Sequence, residues 1–143
     1  MKTATLNSPD WVNPKKLAPQ GACLTMRLPT EELEGIVPFL RPGKDGGFNA
    51  RLEFSVDQQG FCVIFAQING SCLLQCQRCL SDFMQNVDKK TMISPVNDDE
   101  AAKLLPENYE SVLLKEGQIS LKALLKEEIL LSIPQIPKHP SCQ

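Results

Sequence analysis

The chain has 143 residues, 42% hydrophobic and 22% charged, which is ordinary usage for one globular domain with its own packed core. A net charge of −2 and a pI near 5.4 exclude the broad basic surface that grips bare nucleic acid through its phosphates, so a nucleic-acid role must use a local patch or act through protein partners. No apolar run is long enough to span a bilayer, and the start, MKTATLNSPDW, has no apolar export region, so a cytoplasmic protein is expected.

Most of the eleven prolines fall within residues 9–42 and 134–140. Proline breaks ladders and helices alike, so residues 1–48 are predicted to be an irregular N-terminal region with one short helix. That helix lies in PTEELEGIVPFLRPG. Thr30 can cap it, Glu31 and Glu32 suit its first turn, and Leu33, Ile36, Val37 and Leu40 share a face. Pro38 keeps it short or kinked.

Residues 49–115 read as an antiparallel sheet. In NARLEFSV, Leu52, Phe54 and Val56 alternate with Arg51, Glu53 and Ser55, the pattern of a half-buried strand. DQQG makes a turn, and FCVIFAQI is apolar on both faces, as in a central strand. Asn69-Gly70 predicts a hairpin leading into SCLLQC. Then FMQNVDKKTMISPV puts Phe83, Val87 and Ile93 on one side. This predicts four antiparallel strands joined by tight turns.

NDDEAAKLLPENYE is predicted to be an acidic loop with one helical turn, and YESVLL a fifth strand. In that loop Asp98, Asp99 and Glu100 form either a solvated cluster or a hard-cation site. Ser120 caps a helix over 121–132, within a closing segment 116–133, with Leu121, Leu124, Leu125, Ile129 and Leu131 on a broad apolar face. Pro134 ends it, and 134–143 is an extended tail. Strands followed by a closing helix make an α+β fold: a mostly antiparallel sheet covered by a C-terminal helix, in a single domain.

The chemistry-bearing residues are few. Six cysteines without an export signal point to free thiols or a metal rather than disulfides. Cys76-Gln77-Arg78-Cys79 offers two zinc ligands from one turn, and His139-Pro140-Ser141-Cys142 repeats the spacing at the end of the chain. Cys76, Cys79, His139 and Cys142 would make a Cys3His zinc site, zinc being the one cofactor these residues suggest. The competing reading is free cysteines at a strand end. A redox pair is disfavoured, because such pairs sit at a helix N-terminus after a strand, whereas this one falls between antiparallel strands. Cys23, Cys62 and Cys72 read as small apolar residues.

Gly-x-Gly-x-x-Gly and Walker A patterns are missing, and the one histidine is a thin basis for a general base, so no enzyme activity is expected. Glu128 falls near the apolar stripe of the closing helix. If buried it needs a partner, for which Arg78 or Arg51 are candidates.

LLQCQRCLSDF, followed by LLPENYESVLLKEGQISLKALLKEEILLSIPQIPKH, resembles the YceD family of large ribosomal RNA subunit accumulation proteins. The marks are Cys-x-Arg-Cys after a strand (Cys76 to Cys79), Gly-x-Ile-x-Leu entering a helix (Gly117 to Leu121), and the run Glu127 to His139. NPKKLA, Asn13 to Ala18, is similar to the family's Asp-Pro-x-x-x-Ala with Asn for Asp. The resemblance covers roughly residues 13 to 142.

It implies a non-enzymatic role in accumulation of large-subunit ribosomal RNA and in large-subunit assembly. The partner would be the RNA precursor, a basic large-subunit ribosomal protein, or both, with no membrane and no small-molecule substrate. Arg78, Arg51, Lys89 and Lys90 are the leading partner-binding candidates, with Arg41 and Lys44 beside them.

Overall fold

The computed structural model describes residues 3–4, 10–41, 46–134 and 136–138. In chain order the elements are β1 (Thr3–Ala4), β2 (Trp11–Val12), α1 (Pro14–Leu17), β3 (Cys23–Leu28), a 3-10 turn (Thr30–Leu33), β4 (Gly47–Val56), β5 (Cys62–Gln75), β6 (Asp82–Val96), α2 (Asp99–Ala102), β7 (Glu110–Leu113), β8 (Ile119–Ser120) and α3 (Leu121–Ser132). The fold is α+β, as expected. One sheet runs in the order β1-β3-β4-β5-β6-β7, and β2 pairs with β8 in a small second sheet. β3, β4, β5 and β6 are antiparallel neighbours, while β1 and β7 join the edges in parallel.

The long β5–β6 hairpin is the backbone of the molecule. Alternation decides its faces. Ile64, Ala66, Ile68, Cys72 and Leu74 of β5 are buried on one side, with Phe48, Ala50, Leu52 and Phe54 of β4 and Leu24, Met26 and Leu28 of β3. Against that side pack Leu121, Leu124, Leu125 and Ile129 of α3 and Leu33 of the 3-10 turn. Each fully buried Leu or Phe in this layer contributes about 1.5–3 kcal/mol.

Three local expectations fail. The Asn69-Gly70 hairpin does not exist: β5 runs straight through it, with Asn69 opposite Asn49 and Asp88, and Gly70 opposite Phe48 and Val87. Glycine is needed there for space, since a Cβ would come within 2.1 Å of the Gly47 carbonyl oxygen and 2.7 Å of Phe48 Cα. The N-terminal region is not irregular either, because CLTMRL forms β3 inside the main sheet. Its prolines, Pro19 and Pro29, flank the strand without entering it, where they cost no ladder bond. The helix in PTEELEGIVPFLRPG shrinks to the 3-10 turn. Pro29 precedes it with no side-chain cap, and Thr30 lies inside it rather than capping it.

α3 spans the residues the sequence predicts, with Leu121, Leu124, Leu125 and Ile129 buried, but Leu131, expected on the same apolar face, is 66% exposed. Ser120 Oγ accepts from the Ala123 amide at 3.2 Å, and Asp10 adds a second clamp, its carboxylate accepting from the Lys122 amide at 2.7 Å and the Ser120 hydroxyl at 2.6 Å. Asn13 caps α1 in the same way, its Oδ1 accepting from Lys15 and Lys16.

Candidate functional site

The faces of the sheet are unlike. α3 and the 3-10 turn cover one. The other presents the odd residues of β5 with their cross-strand neighbours. Register puts Thr25, Arg51, Gln67 and Lys90 in one row and Arg27, Asn49, Asn69 and Asp88 in the next. Phe65 and Met92 pair in a third row, beside Glu53. This open face is rich in amides and carries cations and carboxylates side by side. Arg51 Nε holds Glu53 Oε1 at 2.8 Å, and Arg27 donates to Asn49 Oδ1 at 3.4 Å and the Gly46 carbonyl at 3.2 Å.

Of the predicted partner-binding residues, Arg51 and Lys90 thus share this face, two strands apart. Lys89 points the opposite way. Its ammonium lies 2.9 Å from Glu128 Oε1, whose side chain is 4% exposed. The partner of Glu128 is therefore Lys89, correcting the sequence-based choice of Arg78 or Arg51. Alternation explains it, since Lys89 and Lys90 are adjacent and a strand sends neighbours to opposite faces. Glu128 is pushed above the usual carboxylate range, first by burial and then by the nearby Glu110, with Lys89 opposing. Arg41 pairs with Asp82 at 3.0 Å. Lys44 lies outside the described residues.

Arg78 sits apart, exposed on the turn that joins β5 to β6. That turn is compact. Cys76 is fully buried and its Sγ accepts from the Arg78 amide at 3.4 Å. Cys79 is exposed, with Sγ 3.2 Å from Ser81 Oγ. The Cys76 amide donates to the Ser81 carbonyl at 2.8 Å and the Leu80 amide to the Cys76 carbonyl at 2.9 Å. Closing so tight a loop holds Leu80 at φ +66°, in the left-handed region, a conformation that costs a non-glycine residue of order 1–2 kcal/mol. His139 and Cys142 lie outside the described residues, and among the described residues no three metal-ligating side chains come together. The tail nevertheless returns to this turn, for the Gln77 amide donates to the Pro137 carbonyl at 2.9 Å. Nothing in the spacing of the sequence announces that bond.

The remaining thiols are structural in character. Cys72 is fully buried, and burial pushes its thiol up to about 11. Cys62 is half-buried and also raised, by burial first, with Lys15 opposing. It edges a cleft of about 400 Å3 at the opposite end of the hairpin, between Lys15, Phe61, Ser94, Val96 and Leu104. The lining carries one lysine and neither histidine nor carboxylate, so it lacks the paired groups of acid–base chemistry. Asp98 uses Oδ1 to cap α2 through the Ala101 amide at 2.8 Å, which gives the acidic loop a structural reason.

No helix among the described residues is long and apolar enough to cross a membrane. The family model "Large ribosomal RNA subunit accumulation protein YceD" matches residues 64–143. The curated large ribosomal RNA subunit accumulation protein YceD of Haemophilus influenzae is 34% identical over 91 residues, 63% of this chain and 52% of the relative. The chain thus aligns with about half the length of that relative. No solved structure matches it. The chain belongs to the YceD family.

Proposed function

Proceeding from that membership, we propose that this protein is a non-enzymatic cytoplasmic factor supporting the accumulation of large-subunit ribosomal RNA, through its synthesis, processing or stability, and the assembly of the large subunit. The observation that carries the reading is the family match over residues 64–143. That span holds β5, β6, the Cys76–Cys79 turn and α3, which is the hairpin, its end turn and its covering helix.

The working surface in this reading is the open face of the sheet. Arg27, Arg51 and Lys90 supply a small cationic patch, and Asn49, Gln67, Asn69 and Asn86 supply donors and acceptors on one plane. Such a face suits a local RNA surface read mostly by neutral hydrogen bonds, while the acidic chain as a whole complements a basic ribosomal protein. The partner is the large-subunit RNA precursor, a basic large-subunit protein, or both. The described cleft gives no observation favouring a small-molecule substrate. A thiol oxidoreductase is disfavoured, since the cysteine pair joins two antiparallel strands and Cys76 is fully buried.

Deletion of the gene tests the reading, with quantification of mature RNAs from both subunits. A selective fall in the large-subunit RNA, restored by the intact chain, is expected. Unchanged RNA would sink the proposal. A tagged chain recovered from growing cells, with bound RNA and protein both identified, separates the two kinds of partner.

A further inference from the structure

We propose that a second cleft, between β7, β8 and α3, docks an extended arginine- or lysine-bearing segment of a basic protein, its cation held between the Trp11 indole and the Glu127 carboxylate. The basic protein is the one named in the proposed function, on which this placement rests.

The cleft comes from a hairpin that opens. Glu116 and Gly117 turn the chain at φ +52° and +79°, and Lys115 and Gln118 exchange two backbone hydrogen bonds of 2.8 and 3.0 Å. In an antiparallel ladder the next pair placed to bond lies two residues along, at Leu113 and Ser120. That pair is not made: among the described residues β7 pairs with β6 alone and β8 with β2 alone. β8 peels away because the Asp10 carbonyl takes the Leu121 amide at 3.0 Å, tying the start of α3 to β2. The gap left behind is a cleft of about 130 Å3, with the buried Ile119 and Leu124 and the half-buried Val112 in its lining. On the β7 side the Leu114 amide donates to the Val96 carbonyl of β6. Alternation then turns the backbone groups of Leu113 away from β6, toward the opening, where an extended segment can use them.

The rim is built for contact. Trp11 is 46% exposed and Leu113 51%, and both line the cleft with Ala123 and Glu127 of α3. Tryptophan offers the strongest aromatic face for a cation, and a carboxylate on the same cleft adds a charge-assisted hydrogen bond.

Charge selects the occupant. Glu127 is exposed and makes no ion pair among the described residues. Its neighbours on α3, Lys122 and Lys126, reach instead to Glu32, at 3.6 and 3.3 Å. The elements around the opening add Asp10, Glu110 and Glu116 against one cation, Lys115, at the bonded end of the hairpin. Asp10 accepts from Ser120 and Lys122, and Glu110 from the Thr91 hydroxyl, but these donors are neutral and leave both charges in place. The local field is therefore negative, which draws in a basic segment and repels RNA phosphates.

The test uses the full chain and two synthetic peptides, one alternating arginine with valine and one alternating glutamate with valine. Trp11 is the only tryptophan, so its fluorescence reports on this cleft. The arginine peptide should give a saturable change in emission and the glutamate peptide none. Glu127→Gln, on an exposed helix position, should weaken binding at least about fivefold, while Glu34→Gln, which removes one charge outside the cleft, should not. Amide shifts on binding should centre on Leu113, Gln118 and Ala123. An unsaturable or equal response to the two peptides, full affinity in Glu127→Gln, shifts centred on the open face of the sheet, or the same Trp11 response to a short single-stranded RNA would overturn the proposal. A null peptide titration beside a fall in large-subunit RNA on gene deletion would remove this docking site alone. Peptide binding beside unchanged RNA would remove the proposed function alone.

Discussion

Lys89 on β6 and Glu128 on α3 form an ion pair of 2.9 Å across the helix–sheet interface. Glu110 also lies close to Glu128, opposing its charge while Lys89 favours it. Burial raises the Glu128 carboxyl above its ordinary 4.5, and the sign of the effect on stability follows. The folded protein holds this proton more tightly than the unfolded chain. The favourable contribution is complete below pH 4.5 and is lost as pH rises through the raised folded value. Glu128→Gln removes that titration, leaving Lys89, whose side chain is 24% exposed, to be hydrated. Urea unfolding at a series of pH values should show the wild type losing stability relative to Glu128→Gln as pH rises through this window. Parallel curves would contradict the assignment.

Gly70 tests the sheet. It lies in mid-strand at φ +154°, with the Gly47 carbonyl and Phe48 backbone where its Cβ would be. Neither is a flexible side-chain end, so Gly70→Ala must push β4 away from β5. The expected loss is at least roughly 1–3 kcal/mol, the usual cost of overpacking, read as a lower denaturant midpoint. Gly60→Ala is the control, because its Cβ meets nothing within 4 Å. Its left-handed φ of +92° leaves only a strain cost. A Gly70→Ala protein no less stable than Gly60→Ala would mean that β5 breaks at this point after all.

The contrast between Gly70 and Leu121–Ser132 shows what local sequence carries. The bounds of the helix were legible to the residue, since its cap and terminal proline are local signals that agree, while the stripe was read one residue too far, Leu131 being exposed. Asn69-Gly70 was misread, because the same dipeptide serves a tight turn or a close strand approach, and only the partner strand tells them apart. β3 was hidden by the prolines around it, although Leu24, Met26 and Leu28 alternate cleanly with Thr25 and Arg27. At the candidate site the local chemistry of Cys76 to Cys79 was visible, as was their place between antiparallel strands. The bond from Gln77 to Pro137 joins residues sixty apart, and no periodicity encodes a contact between two loops. The orientation of Lys89 and Lys90 needed only register, but which face α3 would cover was not local information.

The open face makes a graded prediction. Arg51→Ala with Lys90→Ala removes two cations from one row without touching the core, so stability should change by no more than about 0.5 kcal/mol. Association with large-subunit precursors, followed by gradient cosedimentation, should fall. Lys89→Ala should instead lower the melting temperature, because it leaves Glu128 buried without its cation. If RNA is the direct partner, three cations limit the dependence of log affinity on log salt to a slope of about −2. A much steeper slope would place the contact elsewhere, as would a double variant that still cosediments fully.

Asp10 and Ser120 make the last prediction. They join the two ends of the fold at the N-terminus of α3, where four backbone amides have no partner within the helix. Asp10 takes the Lys122 amide and the Ser120 hydroxyl, while its backbone carbonyl takes the Leu121 amide at 3.0 Å. Ser120 takes the Ala123 amide. The carboxylate also meets the positive end of the helix dipole. Asp10→Ala should therefore cost about 1–2 kcal/mol and Ser120→Ala about 1 kcal/mol. At this chain length the larger loss corresponds to a drop of roughly 3–6 °C in Tm. Because the hydroxyl and the carboxylate share a hydrogen bond, the double variant should lose less than the sum of the two. Asp10→Asn should recover part of the loss, since its amide oxygen still accepts from Lys122. Additive losses, or an Asp10→Ala protein of unchanged Tm, would show that α3 is capped by Ser120 alone.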